Sequence, residues 1–283
     1  MMLHGHGCAL ARTPPSLHSL APRLGDGGSM CVERVSFGRR RRSCPVAALQ
    51  GEGMGMGMGS GGTVERLFVK MCGITSAEDA AVAARAGASL IGMIVWPKSK
   101  RSVSVGLARE IAAAARENGA EPVGVFVDES AQEIESACRD ADLGIAQLHG
   151  DGARSSLFQG LPESLKVIYV LHADKNGVIQ TSFPRSESGP LVDWVLVDSL
   201  QGGSGEQFDW RNFQAPSMES RRGWLLAGGL TPSNVATALS LVTPNAVDVS
   251  SGIAGSDGIR KDPARIHDFI KAVQNSSIIA NVG

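Results

Sequence analysis

Residues 224–253 read W-L-L-A-G-G-L-T-P-S-N-V-A-T-A-L-S-L-V-T-P-N-A-V-D-V-S-S-G-I. Two short apolar runs, 224–227 and 246–249, flank a segment at 232–241 that reads as a helix, with glycine pairs or small polar residues directly after each run. Strand, helix and strand in that order form the repeating unit of a parallel sheet covered by helices. The same alternation extends back to residue 67. It places further strands at 67–71, 89–95, 122–127, 144–148, 166–171 and 194–197, eight in all. Helices are predicted at 77–86, 105–117, 131–140, 153–159, 232–241 and 263–274, several opened by a Ser, Thr or Asp cap. The connection at 172–190 is polar, with Pro184 and Gly189, and shows no fifth helix. Eight strands in about 220 residues suit a (β/α)8 barrel of the TIM type in one domain, 63–283. A doubly wound open sheet is the alternative.

The chain has 283 residues, 43% of them hydrophobic, and a formal charge of −1. That charge is unevenly spread. Residues 1–62 hold seven Arg, no Lys and only Asp26, Glu33 and Glu52 as acids, and they close on G-M-G-M-G-M-G. No apolar periodicity appears there. An Arg- and Ser-rich, acid-poor leader is the composition of an organellar transit peptide, followed here by a Gly/Met linker. A secretory signal needs an apolar stretch that is absent. The Arg run 39–42 alternatively reads as a nuclear or nucleic-acid patch, but the mildly acidic body gives no reason to expect nucleic acid as a partner. The longest uncharged apolar stretch, 86–97, is too short to span a bilayer, which needs about 20 residues. A soluble protein is expected.

In a barrel, chemistry belongs at the C-terminal ends of the strands. The residues there are Cys72, Arg101, Asp128, His149, Asp198, Gly228 and Gly229, then Asp248, Ser250, Ser251 and Gly252. Glycines let backbone N–H groups approach a phosphate closely, and the loops after strands seven and eight frequently bind one. Cys72 follows Lys70 by two residues, so alternation puts both on one face. A nearby ammonium favours the thiolate of a group whose ordinary pKa is near 8.5. A buried, inert thiol is the plainer reading, and it is the one taken for Cys138. Asp198, Asp128 and Asp248 compete on position alone for the role of acid. The glycine-rich loop after Asp198 is suited to folding over a substrate. His149 reads as a substrate contact or as structural. His149, His172 and His267 are too scattered for a metal cluster, and no metal is predicted.

Several motifs follow one another in order: K-M-C-G-I-T (70–75), W-P-K-S-K-R-S-V-S (96–104), G-V-F-V-D (124–128), Q-L-H-G-D (147–151), V-L-V-D-S (195–199), G-G-S-G-E-Q-F-D-W (202–210) and K-D-P-A-R-I (261–266), together with the two glycine loops. Across about 67–270 the chain resembles the phosphoribosylanthranilate isomerase family, especially its plant and algal forms with plastid leaders. Trp96, in place of a commoner aromatic, is a mild departure. The resemblance implies a ribulose-phosphate-binding barrel that performs an Amadori rearrangement of N-(5-phosphoribosyl)anthranilate in tryptophan biosynthesis. Cys72 is then the general base and Asp198 the general acid. Arg101 holds the anthranilate carboxylate, Lys70, His149 and Asp248 contact substrate, and Gly228, Gly229, Ser250, Ser251 and Gly252 bind phosphate. The iminium formed on ring opening is its own electron sink, so no cofactor is expected. The expected partner is the small-molecule substrate, without nucleic acid or membrane, for a monomer or homodimer. A plastid location is implied, with the mitochondrion as alternative. Rival readings are another sugar-phosphate isomerase of this fold and a non-catalytic phosphate-binding barrel.

Overall fold

Lys70 stands opposite Leu90 on one side and opposite Asp248 on the other, so the first strand neighbours both the second and the last. That pairing closes the sheet. In the computed structural model the described residues are 67–184, 186, 191–200, 207–215 and 219–279. The predicted leader and the G-G-S-G run at 202–205 lie outside them. Eight strands, β1 (Phe68–Met71), β2 (Leu90–Ile94), β3 (Glu121–Phe126), β4 (Ile145–Leu148), β5 (Lys166–Ala173), β6 (Trp194–Ser199), β7 (Trp224–Leu226) and β8 (Ala246–Val249), form a closed parallel barrel in sequence order. The open-sheet alternative is thereby excluded.

Around it run α1 (Ala77–Ala86), α2 (Val105–Glu117), α3 (Ala131–Asp140), α4 (Asp151–Ser155), α5 (Val235–Leu241) and α6 (Pro263–Ile279). The first three begin where predicted, each on a serine, Ser76, Ser104 or Ser130, whose hydroxyl accepts a backbone N–H of the first turn. Such a cap is worth about 1 kcal/mol. Ala80, Ala83, Ala108, Ala112 and Ala115 bury the inner faces of α1 and α2.

Several strand ends differ from the sequence reading by one residue, β6 runs on to Ser199 and α6 to Ile279, and three further boundaries differ for a visible structural cause. α4 starts at Asp151 rather than 153 and passes into a 3-10 turn at Ser156–Phe158. Its start is set by Gly150 and Gly152, where a Cβ would lie 2.5 Å from the Val127 carbonyl and 2.8 Å from the Asp128 Cα. α5 starts at Val235 rather than 232, because Asn234 folds back to accept the Thr231 N–H (2.7 Å) and to donate to the Gly229 carbonyl (3.0 Å). β5 runs on through His172 and Ala173, held by an antiparallel bridge from Ala173 to Ile179. Among the described residues no helix separates β5 from β6 or β6 from β7.

Alternation along the strands fills the barrel in layers. Toward its N-terminal end Leu90, Val123, Ile145, Ile168, Trp194, Leu196, Leu225 and Ala246 pack into one apolar cluster. Further toward the C-terminal end the inward positions turn polar: Lys70 on β1, Gln147 and His149 at the end of β4, Asp198 on β6 and Asp248 on β8. A sealed floor and a polar mouth on one set of strands position the site.

Candidate active site

Cys72, Arg101, Gln147, His149, Asp198 and Asp248 line one cavity of about 280 Å3 at the C-terminal rim, together with residues of the two glycine loops. Beneath it Lys70 is fully buried, and its Nζ donates to Asp248 Oδ1 at 2.8 Å. Burial works against the ammonium. The Asp248 carboxylate and the Cys72 sulfur outweigh that cost and hold Lys70 above its ordinary value. Gly92 makes room for the thiol on the neighbouring strand: a Cβ there would lie 2.8 Å from Cys72 Sγ and 3.2 Å from Lys70 Nζ. Replacing Lys70 by Met leaves Asp248 as an unpaired, nearly buried carboxylate, which costs about 3–5 kcal/mol. Urea titration of the Lys70→Met chain is expected to show that loss, and Lys70→Met/Asp248→Leu to recover most of it.

The three aspartates that compete in the sequence occupy different surroundings. Asp128 is 56% exposed and accepts from Trp96 Nε1 (3.0 Å) and Lys98 Nζ (3.4 Å), outside the cavity lining. Asp248 is committed to Lys70. Asp198 is buried at the end of β6 and lines the cavity. Burial, then the Asp248 charge, pushes its carboxyl up to about 7, against the Ser199 N–H at 2.8 Å and the Lys70 ammonium.

His149 Nε2 lies 4.0 Å from Asp198 Oδ2. Burial, with His172, Lys70 and Arg154 nearby, depresses the His149 imidazole to about 3, so it is neutral. The rings of His149 and His172, far apart in sequence, meet edge-on at 5.1 Å. Arg154 ties this corner together by donating to the carbonyls of His149 (2.6 Å) and Val170 (3.3 Å). Gln147, which opens Q-L-H-G-D but has no role in the sequence reading, stands two residues before His149 on the same inward face. Its Nε2 is 3.3 Å from His149 Nδ1, and its buried Oε1 has no hydrogen-bond partner among the described residues.

Arg101, 5% exposed, reaches in from the segment after β2 and donates from Nη1 to Ser250 Oγ at 2.6 Å, while Ser250 Oγ donates to the Cys72 carbonyl at 2.9 Å. One serine thus joins the ends of β1 and β8 to Arg101. The glycine loops meet at Gly252, where a Cβ would lie 2.0 Å from the Leu230 carbonyl. Gly228 and Gly229 both take positive φ, +83° and +65°, which side chains resist. Among the described residues no group of three or more His, Cys, Asp or Glu is placed to hold a metal ion, and no helix is long and apolar enough to cross a membrane.

A closed parallel barrel with an acid of raised pKa and a thiol facing one chamber at its C-terminal rim defines a (β/α)8-barrel enzyme suited to proton transfer. The model of the N-(5'-phosphoribosyl)anthranilate isomerase family matches residues 69–272. The chain belongs to that family, the isomerases of tryptophan biosynthesis. It is 53% identical over 248 residues to N-(5'-phosphoribosyl)anthranilate isomerase 1, chloroplastic, of Arabidopsis thaliana, covering 87% of this chain and 88% of that protein. The crystal structure of phosphoribosyl anthranilate isomerase from Thermotoga maritima superposes with a TM-score of 0.59 at 31% identity, over 74% of this chain and all of that one. A phosphoribosyl anthranilate isomerase in complex with reduced 1-(o-carboxyphenylamino)-1-deoxyribulose 5-phosphate gives 0.56 at 29% identity, with the same coverage.

Proposed function

We propose that this enzyme converts N-(5-phosphoribosyl)anthranilate to 1-(2-carboxyphenylamino)-1-deoxyribulose 5-phosphate, with Asp198 as general acid and Cys72 as general base. The observation that carries the reading is the pairing, in one cavity, of a carboxyl raised to about 7 with a thiol whose sulfur lies beside a buried ammonium. Asp198, protonated, gives its proton to the furanose ring oxygen. The bond from that oxygen to C1 breaks, and the anilino nitrogen's lone pair forms an iminium. Cys72 thiolate removes the proton from C2, its electrons neutralise the iminium, and the resulting enolamine tautomerises to the ketone. No cofactor is required for this sequence.

Gly228, Gly229, Ser250, Ser251 and Gly252 form the phosphate cradle, their backbones brought together by the contact at Gly252. Arg101 binds the anthranilate carboxylate, and neutral His149 and the Lys70–Asp248 pair border the ribose. The catalytic domain is 63–283 and the leader a plastid transit peptide. The Arabidopsis relatives named chloroplastic favour the plastid over the mitochondrion.

The direct test follows the loss of phosphoribosylanthranilate fluorescence on incubation with the full chain. Turnover is expected without added metal or cofactor, and none under any condition overturns the reading. In the same assay Arg101→Met is expected to raise KM by about 10- to 100-fold, the worth of one charge-assisted contact. An unchanged KM removes Arg101 from substrate binding.

A further inference from the structure

Lys261 has no role in the scheme above, yet among the described residues it is one of four buried cations, with Lys70, Arg101 and Arg154. It is 5% exposed and stands on the segment leading into α6, bridged to Ala254. Its backbone N–H donates to Asp79 Oδ2 at 3.1 Å, and the same carboxylate takes Arg260 Nε at 3.0 Å, so the segment is bolted to the first turn of α1. Its Nζ donates to the Ser250 carbonyl at 3.0 Å. Ser250 in turn grips the Cys72 carbonyl and takes Arg101. A fixed ammonium therefore stands behind Ser250, whose hydroxyl ties the loop after β8 to the Cys72 carbonyl and to Arg101.

The two lysines near Cys72 differ in charge balance. Lys70 is neutralised by Asp248 at 2.8 Å. Lys261 Nζ has no carboxylate within 4.0 Å among the described residues, and its hydrogen bond goes to a neutral carbonyl. The charged and titratable groups that face it are Arg101 from the segment after β2, Cys72 from the end of β1, Asp248 from β8 and Asp79 from α1. Burial, then Arg101, lowers Lys261 to about 8, while the Cys72 sulfur and the two carboxylates act the other way. Of the groups that face Lys261, Cys72 is the one whose ionisation the reaction scheme requires.

We propose that Lys261 is a positioning residue for Cys72, holding an uncompensated positive charge against the end of β1 that favours the thiolate. This rests on the reading of Cys72 as the base and adds the cation that prepares it. Lys261 acts through Ser250 and through space and need not touch substrate.

The test measures the pH dependence of Cys72 alkylation by iodoacetamide in the full chain, resolved residue by residue through peptide masses. Cys138, buried and pushed up to about 12, serves as the unreactive internal control. Lys261→Gln keeps a donor for the Ser250 carbonyl and Lys261→Met keeps the stem, and both remove the charge. In either one that melts as a folded protein, the alkylation midpoint is expected to rise by about one pH unit, a tenfold smaller thiolate fraction at neutral pH. Lys261→Arg is expected to stay close to wild type. A midpoint within about 0.2 unit of wild type in a folded neutral variant overturns the proposal. So does an equal rise in Lys261→Arg, which traces the effect to packing rather than charge. Alkylation requires no turnover, so its outcome is separate from that of a turnover assay on a Cys72→Ala chain, which tests the base assignment itself.

Discussion

Asp198→Asn is expected to lower kcat by about a thousandfold or more and to leave KM within a few-fold of wild type. Asparagine has the shape of aspartic acid, and its amide oxygen still accepts the Ser199 N–H that the carboxylate takes at 2.8 Å. It has no proton to give to the ring oxygen. A second effect has the opposite sign. The Asp198 carboxyl titrates at about 7 in the folded chain, against about 3.9 for an unperturbed aspartate. Between those pH values the native state holds a proton that the unfolded chain releases. Stability is therefore greatest below the unfolded value and falls as pH rises toward 7. Above that, ionised Asp198 costs up to about 4 kcal/mol. Asp198→Asn carries no such burden. It is expected to be more stable than wild type by roughly 2–4 kcal/mol at pH 8, with a smaller gain at pH 5, in urea titrations at the two values. An inactive, more stable variant is the signature of a residue kept for chemistry at the expense of the fold. A fully active Asp198→Asn chain would remove the general acid from the scheme.

Whether this aspartate can be singled out in the sequence shows where the reading of residues ends. The strands themselves were legible as apolar runs, with ends placed within one residue except at β5 and β6, which both run two residues further. β8 lies where its four residues place it, and α1, α2 and α3 follow from serine caps and alanine-rich faces. These are local signals. Asp128 and Asp198 end apolar runs and Asp248 stands one residue before the end of another, and what separates them is a partner elsewhere in the chain: Trp96 for Asp128, and for Asp248 the ammonium of Lys70, 178 residues away. Only closure of the barrel creates the second of these. The start of α4 was obscured because Gly150 and Gly152 look like helix breakers, whereas both are required where α4 passes against the 127–128 backbone. β5 was read two residues short because its extension rests on returning contacts, Ala173 with Ile179 and the His172 N–H with Thr181 Oγ1. Gln147 carries a signal that was available, its place two residues before His149 on an inward face. Lys261 opens the K-D-P-A-R-I motif, but nothing local tells its place, for its hydrogen bond to Ser250 exists only once the segment before α6 folds back over the rim.

Removing the Cys72 sulfur is the harshest test of the base. Cys72→Ala is expected to cut kcat by a factor of about 10^3 to 10^4, because a methyl group takes no proton and no other described thiol lines the cavity. The fold has little reason to suffer. The sulfur fills a small niche opposite Gly92, and its loss costs about 1 kcal/mol. Binding is expected to survive, since Arg101 remains anchored on Ser250, whose own bond runs to the backbone carbonyl of residue 72 and not to its side chain. KM close to wild type beside an almost vanished kcat is therefore the predicted split. Cys72→Ser sharpens it. A serine hydroxyl has nearly the same shape, but it is a far weaker acid than a thiol, so Lys70 and Lys261 together cannot ionise it near neutral pH. Serine is accordingly expected to be as inactive as alanine. If Cys72→Ser instead kept most of its activity with an unchanged pH profile, the proton at C2 would be leaving by another route, and Cys72 would revert to the buried, inert thiol that its 6% exposure also permits.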